Sequence, residues 1–392
     1  MPEYTYLIIG GGMTADAAVK GIRQEDDSGS IGMLSTEPDP PYNRPPLSKG
    51  LWKGMKEKFI WRNTDSQDVT LHLSTRAVAI DPDEKVVRDD AGGEYRYGKL
   101  LLAAGGSPIH LPDAPEDLIY FRTYQDYQTL AQKVESLESF AVIGGGFIGS
   151  EIAAALNEQE KRVTIIFPES GLCGRIFPDT VSQFLNSYYQ EKGVEVLSGE
   201  LVSSVTKAAS RYQVTTHSGT MLKADTVIAG LGITPNTGLA EAAGLEIDNG
   251  IIVNEYLQTS RPDIYAAGDV ARFYNAALGK RIRVEHEENA NMQGLTAGLN
   301  MAGAAQSYSH LPSFYSDLFD LSYQAVGEMR SDMEIVEDWK TEFREGTIYY
   351  LQDGRIRGVA LWNIWRQLDN ARELIAAPGP FGKEDVKGRL PD

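Results

Sequence analysis

The stretch that decides the fold is GGGMTA at residues 10–15, which follows a short apolar run at residues 4–9. An alanine-rich segment after it is predicted to be a helix as far as Arg23. In the pattern G-x-G-x-x-G/A, the first glycine makes a tight turn and the second lets the backbone approach a pyrophosphate. The third small residue lets the helix pack closely on the strand. Gly10, Gly12 and Ala15 fit these positions, so the stretch predicts a phosphate-binding turn at a helix N-terminus.

The same pattern occurs a second time along the chain. GGGFIG at residues 144–149 follows the apolar run 140–143, with a helix predicted at about 150–159 and a strand at 162–167. In both copies a predicted hairpin and then a buried apolar run come next, at residues 83–97 and 100–104, and at 212–222 and 226–229. One glycine motif alone is weak evidence, because any buried helix can follow a glycine turn. Two copies with matching flanks predict two bound dinucleotides.

The predicted fold class is α/β, with two tandem Rossmann-like dinucleotide-binding domains, each carrying a β-hairpin insertion, and a small C-terminal α+β domain. The first binding domain is discontinuous (residues 1–112 and 245–306), the second has residues 113–244, and the C-terminal domain has residues 307–392. In this last domain, strands are predicted at 333–337, 347–352 and 356–361, with a helix at 364–376. Its tryptophans are expected to pack in the core rather than shape an acceptor or dimer surface; they are Trp339, Trp362 and Trp365.

Composition and charge exclude several classes of protein. The 392 residues include 37 Lys and Arg against 55 Asp and Glu, and the net charge of −18 repels nucleic acid and anionic lipid. Cys173 is the one cysteine, which excludes a disulfide scaffold, a cysteine-rich metal site and an internal redox pair. We expect it to be a structural thiol. No run approaches the roughly 20 apolar residues that span a bilayer, and the N-terminus lacks signal-peptide features, so we expect a soluble cytoplasmic protein.

Acidic residues near the end of each second strand are candidates to grip an adenosine ribose. In the first copy these positions hold Thr36 and Glu37. In the second copy Phe167 occupies the usual position, and Glu169 follows it. Glu169 favours NADH because its charge repels a 2′-phosphate, whereas Arg175 lies close enough in sequence to soften that preference. A solvated loop glutamate is the alternative interpretation of Glu169.

Two dinucleotide sites suggest a relay between one bound flavin and one exchanging nicotinamide nucleotide. Such chemistry needs two stacked rings and charges that tune the flavin, with little acid–base help from the protein. The sequence agrees, since it has only 5 histidines and none with metal-ligand spacing. The run at residues 285–288 is better explained as the start of a helix predicted from Glu287 to about Asn300 than as a metal site.

The chain resembles the FAD-dependent pyridine nucleotide oxidoreductases, in the branch that holds apoptosis-inducing factor, ferredoxin and rubredoxin reductases, and monodehydroascorbate reductase. The resemblance covers nearly the whole chain, and its most specific stretch is PYNRPPLSK at residues 41–49. Residues 146–151 and 167–171 are most similar to apoptosis-inducing factor, and residues 310–316 are similar to monodehydroascorbate reductase. The resemblance implies that the first glycine turn binds FAD and the second binds NADH.

The resemblance also implies which residues form the sites. Lys49 lies near the reactive end of the flavin and pairs with Glu151, and these two are the implied catalytic residues. Phe147 is implied to stack at the nicotinamide. The implied FAD-binding residues are Gly10, Gly12, Met13, Thr14, Ala15, Thr36, Glu37, Arg44, Lys49, Val78, Arg122, Gly268, Asp269, Glu285, His286, Glu287 and Tyr315. The implied NAD-binding residues are Gly144, Gly146, Phe147, Ile148, Gly149, Glu151, Glu169, Arg175, Gly232, Glu285 and His286.

Three features depart from the family pattern. The common Ala-Thr-Gly motif reads AAGG at residues 103–106, so its threonine is missing. The second histidine that follows His286 in apoptosis-inducing factor is Glu287 here. The long insertion of the eukaryotic apoptosis factors has no room between Gly327 and Gly346, so a cell-death role is unsupported.

The resemblance implies an FAD-dependent NAD(P)H oxidoreductase that prefers NADH, and it leaves three functions open. The first is a reductase in which a hydride passes from NADH to FAD, and electrons then pass to an acceptor such as ferredoxin or rubredoxin. The second is a redox-gated binding protein like apoptosis-inducing factor, with slow NADH oxidase activity and a stable FADH2–NAD charge-transfer complex. The third is a quinone or monodehydroascorbate reductase.

Two basic stretches are candidates for docking a small acidic iron–sulfur protein. Contacts with cofactor phosphates, or plain solvation, explain the presence of these basic residues nearly as well. Separately, we expect that the protein can form a homodimer. The basic residues are Arg44, Lys49, Lys53, Lys56, Lys58 and Arg62 in the first stretch, and Arg272, Lys280, Arg281 and Arg283 in the second.

Overall fold

The computed structural model describes residues 1–390, which form two compact units. The first unit contains Met1–Asn43, Lys56–Ser107 and Thr234–Pro312. The second contains Arg44–Met55, Pro108–Ile233 and residues 313–390. The division of the chain into three domains at the boundaries predicted from the sequence remains a proposal.

A seven-stranded sheet forms the centre of the first unit. Its strands in spatial order are Val69–His72, Ile31–Leu34, Glu3–Ile9, Glu94–Leu102, Val86–Asp89 and Ala77–Asp81, and Ile264–Ala266 also pairs with Glu94–Leu102. The first four strands are parallel, as expected of a doubly wound unit. The predicted hairpin is present, but its second strand runs without a break into the buried run that was predicted separately. The strand is continuous because it pairs with Glu3–Ile9 from Arg96 to Leu102.

Two long helices of the first unit pack closely against each other. They are Met13–Glu25, which begins at the first glycine turn, and Glu287–Met301. Glycines allow the close approach: a Cβ added at Gly298 would lie 2.0 Å from the carbonyl oxygen of Ala18. The unit also contains the short helix Gly238–Ala242 and a small sheet of Ile251–Ile252, Ala271–Asn275 and Lys280–Ile282.

The second unit contains a five-stranded parallel sheet around the second glycine turn. Its strands in spatial order are Glu195–Ser198, Arg162–Phe167, Ser139–Ile143, Thr226–Ala229 and Ile119–Tyr120. The predicted hairpin is present within the antiparallel sheet of Val202–Ala208, Arg211–Thr216 and Met221–Ala224. The accompanying helices are Tyr124–Ser136, Phe147–Glu158 and Asp179–Glu191. The second of these begins at Phe147, earlier than predicted, because Gly146 already caps it.

A five-stranded antiparallel sheet forms the C-terminal part of the second unit. Its strands in spatial order are Ser313–Leu318, Leu321–Gly327, Arg355–Trp362, Glu345–Gln352 and Glu334–Thr341. The sequence predicted the last three and missed the first two. The helix Leu368–Ala376 packs on this sheet, and a short helix Lys383–Val386 follows. None of the helices among residues 1–390 is long and apolar enough to cross a membrane.

Candidate functional site

The first glycine turn has the shape that a dinucleotide pyrophosphate requires. Gly10 has a φ of +119°, and a Cβ there would lie 2.2 Å from the carbonyl oxygen of Ala103. Gly12 caps the helix, and a Cβ there would have no atom within 4 Å, so the space in front of the helix is open. Met13, Thr14 and Ala15 form the buried first turn, whose N–H groups and dipole favour an anion. The turn therefore fits the pyrophosphate of a dinucleotide, which the resemblance implies to be FAD.

The second glycine turn repeats this geometry in the second unit. Gly144 has a φ of +111°, and a Cβ there would lie 2.3 Å from the carbonyl oxygen of Gly230. A Cβ at Gly149 would lie 1.8 Å from the carbonyl oxygen of Gly144, so only glycine permits this packing of helix on strand. Gly146 is open like Gly12. Ile148 is 38% exposed beside it in the first helical turn. The second turn thus also fits a dinucleotide pyrophosphate, which the resemblance implies to be that of the nicotinamide nucleotide.

Acidic side chains do follow the second strand of each copy. Glu37 is half-buried and accepts a hydrogen bond of 2.6 Å from the Tyr42 hydroxyl, next to the exposed Thr36. Glu169 forms a 2.5 Å ion pair with the guanidinium of Arg175, whose side chain is 83% exposed. Glu169 is therefore not simply a solvated loop residue. The ion pair joins the two residues that were predicted to act in opposite ways on a 2′-phosphate.

Lys49 and Glu151 form a buried ion pair in the second unit. The Lys49 Nζ lies 2.7 Å from the Glu151 Oε2, and the two side chains are 14% and 2% exposed. The Lys49 ammonium also lies 5.1 Å from the centre of the Tyr315 ring, within the range of a cation–π interaction. The structure thus brings together three residues that the resemblance implied, from three distant parts of the sequence.

Two serines of the same cluster were not predicted as site residues. The Ser48 hydroxyl donates a 2.6 Å hydrogen bond to Glu151 Oε2, and the Ser316 hydroxyl donates one of 2.5 Å to Glu151 Oε1. Their only signal in the sequence is position, since Ser48 precedes Lys49 and Ser316 follows Tyr315.

Phe147 is the first residue of its helix and is half-buried. Its ring packs edge-to-face on Phe314, with centroids 5.1 Å apart and an interplanar angle of 69°. Such a contact favours this orientation of the ring. Phe314, which sequence reasoning missed, thus packs against the ring that the resemblance implies at the nicotinamide.

The implied residues around Gly268 and His286 lie close together in the first unit. The Gly268 N–H donates a 2.8 Å hydrogen bond to the Gln293 side chain, and Arg283 donates to the carbonyl oxygen of Asp269 while pairing with Glu285. Burial lowers the pKa of His286 to about 4, which the nearby charges of Asp269 and Glu288 only partly oppose. The imidazole is therefore neutral at physiological pH.

The remaining implied residues are less closely associated. The Arg44 guanidinium donates a 2.8 Å hydrogen bond to the carbonyl oxygen of Arg122. Gly232, with a φ of +90°, accepts a backbone hydrogen bond from Ile109. Val78 is 49% exposed on the strand at the edge of the first sheet. Glu287 opens its helix, where its charge suits the helix dipole.

Cys173 is buried, and its Sγ lies 3.9 Å from the Ser150 hydroxyl. Burial raises the pKa of its thiol to about 12, so the thiolate, which is the reactive form, is scarce at neutral pH. These properties agree with the structural role expected from the sequence.

The tryptophans of the C-terminal part differ in burial. Trp362 is buried and stacks on Tyr323, whereas Trp365 is 53% exposed and does not pack in the core as predicted.

Ion pairs already involve several members of the two basic stretches. Arg62 pairs with the buried Asp16, Lys53 lies 3.7 Å from Glu158, and Arg272 pairs with Asp248. Lys56 and Lys58 are exposed in the first stretch. The positive surface that these stretches offer to an acidic partner is thus smaller than their composition indicates.

Comparisons with known proteins agree with this geometry. The family model described as pyridine nucleotide-disulphide oxidoreductase matches residues 4–294, and the model for the C-terminal part of apoptosis-inducing factor matches residues 329–377. The ferredoxin–NAD(+) reductase component of an anthranilate 1,2-dioxygenase system from Burkholderia cepacia is 34% identical, over 95% of this chain and 94% of that protein. Apoptosis-inducing factor 1 from Dictyostelium discoideum is also 34% identical, over 95% of this chain and 78% of that protein. A putidaredoxin reductase, solved in covalent complex with putidaredoxin, is 29% identical with a TM-score of 0.89, covering 96% of this chain and 94% of that chain.

The chain belongs to the pyridine nucleotide-disulphide oxidoreductase family. It is an FAD-dependent NAD(P)H oxidoreductase of the ferredoxin reductase type, and its cofactors are FAD and NAD(H). The resemblance stated from the motifs is confirmed, as is the fold class.

Proposed function

We propose that this protein is an NADH-dependent reductase that passes electrons from FAD to a small iron–sulfur protein of the ferredoxin class. The observation that carries the proposal is the buried 2.7 Å ion pair of Lys49 and Glu151. It fixes a positive charge in the segment that the family sets along the flavin. The names of the ferredoxin reductase relatives support the acceptor class.

The chain's own residues have simple tasks in this proposal. FAD, when bound between these residues and the reduced nicotinamide, would supply the redox chemistry: it would take up the two electrons of a hydride and pass them singly to two acceptor molecules, with release of a proton. Lys49 supplies positive charge to the reducing centre, Glu151 holds its ammonium group, and Tyr315 covers it. Phe147 orients the nicotinamide, while the two glycine turns hold the pyrophosphates. The other residues that the resemblance implies for FAD and NAD(H) complete the two cofactor sites.

We also infer a preference for NADH over NADPH. The carboxylate of Glu169 is partly buried, and its neighbour Arg175 is already paired with it at 2.5 Å. The Glu169 carboxylate therefore repels a 2′-phosphate at this position. Arg175 can pair with the phosphate only after its ion pair with Glu169 is broken, which costs energy. An NADPH molecule must displace Arg175 to be accepted.

The test is anaerobic stopped-flow reduction of the purified flavoprotein, first with NADH and then with NADPH. We expect rapid bleaching of the flavin band with NADH and slower bleaching with NADPH. Mixing the reduced protein with an oxidised [2Fe–2S] ferredoxin should then restore the flavin band faster than air does. A flavin that neither nucleotide bleaches would show that the second glycine turn has been misread, whereas rapid reduction with no response to ferredoxin would reject only the acceptor.

A second candidate is a redox-gated binding protein like apoptosis-inducing factor. Two observations favour it: the match of residues 329–377 to the C-terminal model of that protein, and the FPESG run at residues 167–171. In that case NADH would reduce the flavin slowly, and the reduced protein would persist in air and elute differently on size exclusion. The third candidate is a quinone or monodehydroascorbate reductase, and one observation favours the second of these acceptors: monodehydroascorbate reductase 3 of Arabidopsis thaliana is a relative with 31% identity over 96% of this chain.

We predict that Lys49→Ala slows reduction of the flavin by NADH roughly ten- to a hundredfold and leaves FAD bound, because the substitution removes one positioned charge. The same stopped-flow measurement checks the rate, and the ratio of flavin to protein absorbance checks the bound FAD. Lys53→Ala is the matched control. Lys53 belongs to the same segment, but its side chain is 47% exposed and its ion pair with Glu158 is long, at 3.7 Å. Equal rates in the two variants would exclude the role assigned to Lys49.

A further inference from the structure

The carboxylate of Glu151 is held by more than its lysine. Glu151 is 2% exposed, and each of its oxygens accepts a short hydrogen bond from a serine hydroxyl: Ser316 to Oε1 at 2.5 Å and Ser48 to Oε2 at 2.6 Å. Lys49 shares Oε2 at 2.7 Å. Three donors from two distant segments thus converge on one buried carboxylate.

Burial makes these hydrogen bonds important. A carboxylate that leaves water must be compensated by close donors, because an unpaired buried charge costs several kcal/mol. Both serines are themselves buried, at 5% for Ser48 and 1% for Ser316, so water does not easily replace their hydroxyls. Ser48 has one other acceptor in the structure, the carbonyl oxygen of Pro45, at the limiting distance of 3.5 Å. The carboxylate is therefore the natural acceptor for both hydroxyls.

The two serines also determine how the carboxylate is oriented. The terminal torsion of a glutamate is broad and roughly two-fold, so one ion pair alone leaves the plane of the carboxylate free to rotate. A hydrogen bond on each oxygen fixes this plane. Because the Lys49 Nζ binds the same carboxylate, fixing the plane also fixes the ammonium group.

The backbone that carries the serines supports this arrangement. Ser48 directly precedes Lys49, between two short 3₁₀ helices at Pro45–Leu47 and Gly50–Lys53. Ser316 lies on the strand Ser313–Leu318 of the C-terminal sheet, in register with Tyr323 on the next strand. Its neighbour Tyr315 faces the other way and covers the Lys49 ammonium at 5.1 Å. One strand thus contacts both members of the ion pair.

We propose that Ser48 and Ser316 are positioning residues, which fix the Glu151 carboxylate and through it the Lys49 ammonium, so that the C-terminal sheet takes part in flavin reduction. This inference rests on the proposed roles of Lys49 and Glu151. Neither serine touches a cofactor in this proposal. Each acts only through the carboxylate.

The test compares Ser316→Ala and Ser48→Ala with the wild-type holoprotein. We expect each variant to keep its FAD and to be reduced by NADH about tenfold more slowly, because a misplacement of about 1 Å costs up to 10²-fold in rate. We also expect the midpoint potential of the bound FAD, measured by dye equilibration, to become more negative, because the ammonium is held less firmly. Ser322→Ala is the matched control, since Ser322 lies on the adjoining strand and donates 2.6 Å to Asp317 instead.

A double-mutant cycle separates positioning from general support of the fold. In the Glu151→Gln background, adding Ser316→Ala should change the rate little, because the two residues act as one unit. Effects that multiply in full, or serine variants that match the wild type, would overturn the inference. If Ser316→Ala loses FAD, Ser316→Cys preserves the side-chain shape with a weak donor and is expected to show the same slow rate. Failure of the wild type itself to be reduced would instead reject the proposed function.

Discussion

Gly149→Ala is expected to weaken binding of the pyridine nucleotide roughly a hundredfold while FAD stays bound. A Cβ at this position would lie 1.8 Å from the carbonyl oxygen of Gly144 and 2.9 Å from its carbonyl carbon. Neither atom belongs to a flexible side chain, so the helix Phe147–Glu158 must move away from the turn. In the free variant the helix relaxes away from the turn, and binding the nucleotide must bring it back at a cost of about 3 kcal/mol, which corresponds to roughly a hundredfold loss of affinity. The measurement is a titration of the oxidised flavoprotein with NAD⁺ or ADP-ribose, followed by flavin absorbance.

Two other glycines make this prediction specific. At Gly146 a Cβ would have no neighbour within 4 Å, so Gly146→Ala should leave the turn intact. This variant should weaken nucleotide binding only because the new methyl group occupies space that the phosphates need. At Gly238, in the first unit, a Cβ also has no neighbour within 4 Å, and Gly238→Ala should change neither FAD nor nucleotide binding. Wild-type affinity in Gly149→Ala would mean that the turn does not bind the nucleotide.

The sequence was sufficient to predict the glycine turns because their chemistry is local. A tight turn, an open helix N-terminus and a close helix–strand contact each require a small residue at a fixed spacing. Gly10 and Gly144 both adopt positive φ values, +119° and +111°, and both would place a Cβ within 2.3 Å of a carbonyl oxygen. The hairpins that follow were predictable for the same reason, since each turns at a glycine between β-rich runs.

The first two strands of the C-terminal sheet could not be predicted in this way. Ser313–Leu318 and Leu321–Gly327 are joined by Phe319 and Asp320, a pair that lacks the glycine typical of two-residue hairpin loops. Phe319 adopts a φ of +60° that normally favours glycine or asparagine. Its ring packs on Tyr188 and Tyr189, with centroid distances of 5.8 and 5.0 Å. Tertiary packing, which no local pattern reveals, stabilises this turn.

The candidate site shows the same division between local and long-range information. Lys49 and Glu151 were paired through the family resemblance and not through spacing, because residues so far apart carry no sequence signal of contact. The sequence did not reveal the two serines of the cluster, because nothing in the sequence around a serine shows that its hydroxyl will bind a buried carboxylate. Burial was also needed to recognise Cys173 as unreactive, with its pKa raised to about 12.

Asp16→Ala is expected to destabilise the first unit by about 3–5 kcal/mol, the usual cost of removing one member of a buried ion pair. Asp16 is fully buried in the first turn of Met13–Glu25, and it accepts hydrogen bonds from Arg62 at 2.5 Å and Thr64 at 2.7 Å. Its removal leaves the 11% exposed Arg62 without its carboxylate. The midpoint of thermal unfolding should fall by about 10 °C, as measured from the rise in FAD fluorescence when the protein unfolds and releases the cofactor.

Lys20→Ala is the matched control, because Lys20 binds the same carboxylate at 2.7 Å but is 45% exposed. An exposed partner of this kind contributes less than about 1 kcal/mol, so the unfolding midpoint should hardly change. If the two variants lost similar amounts of stability, the distance between the charged atoms, and not the burial of the partner, would determine how much an ion pair contributes to stability.

The pH dependence of the Asp16→Ala effect gives an independent check of its cause. Burial alone would raise the pKa of Asp16, but hydrogen bonds from Lys20, Thr64 and Arg62 outweigh burial and hold the pKa below its ordinary value. A carboxyl group with a lowered pKa stabilises the folded state at every pH above its unfolded value of about 3.9. This contribution disappears only as the pH falls through the folded pKa. The difference in unfolding midpoint between wild type and Asp16→Ala should therefore be constant from pH 8 down to about pH 5 and shrink below about pH 4. A difference that instead vanished near neutral pH would assign the stabilisation to another group.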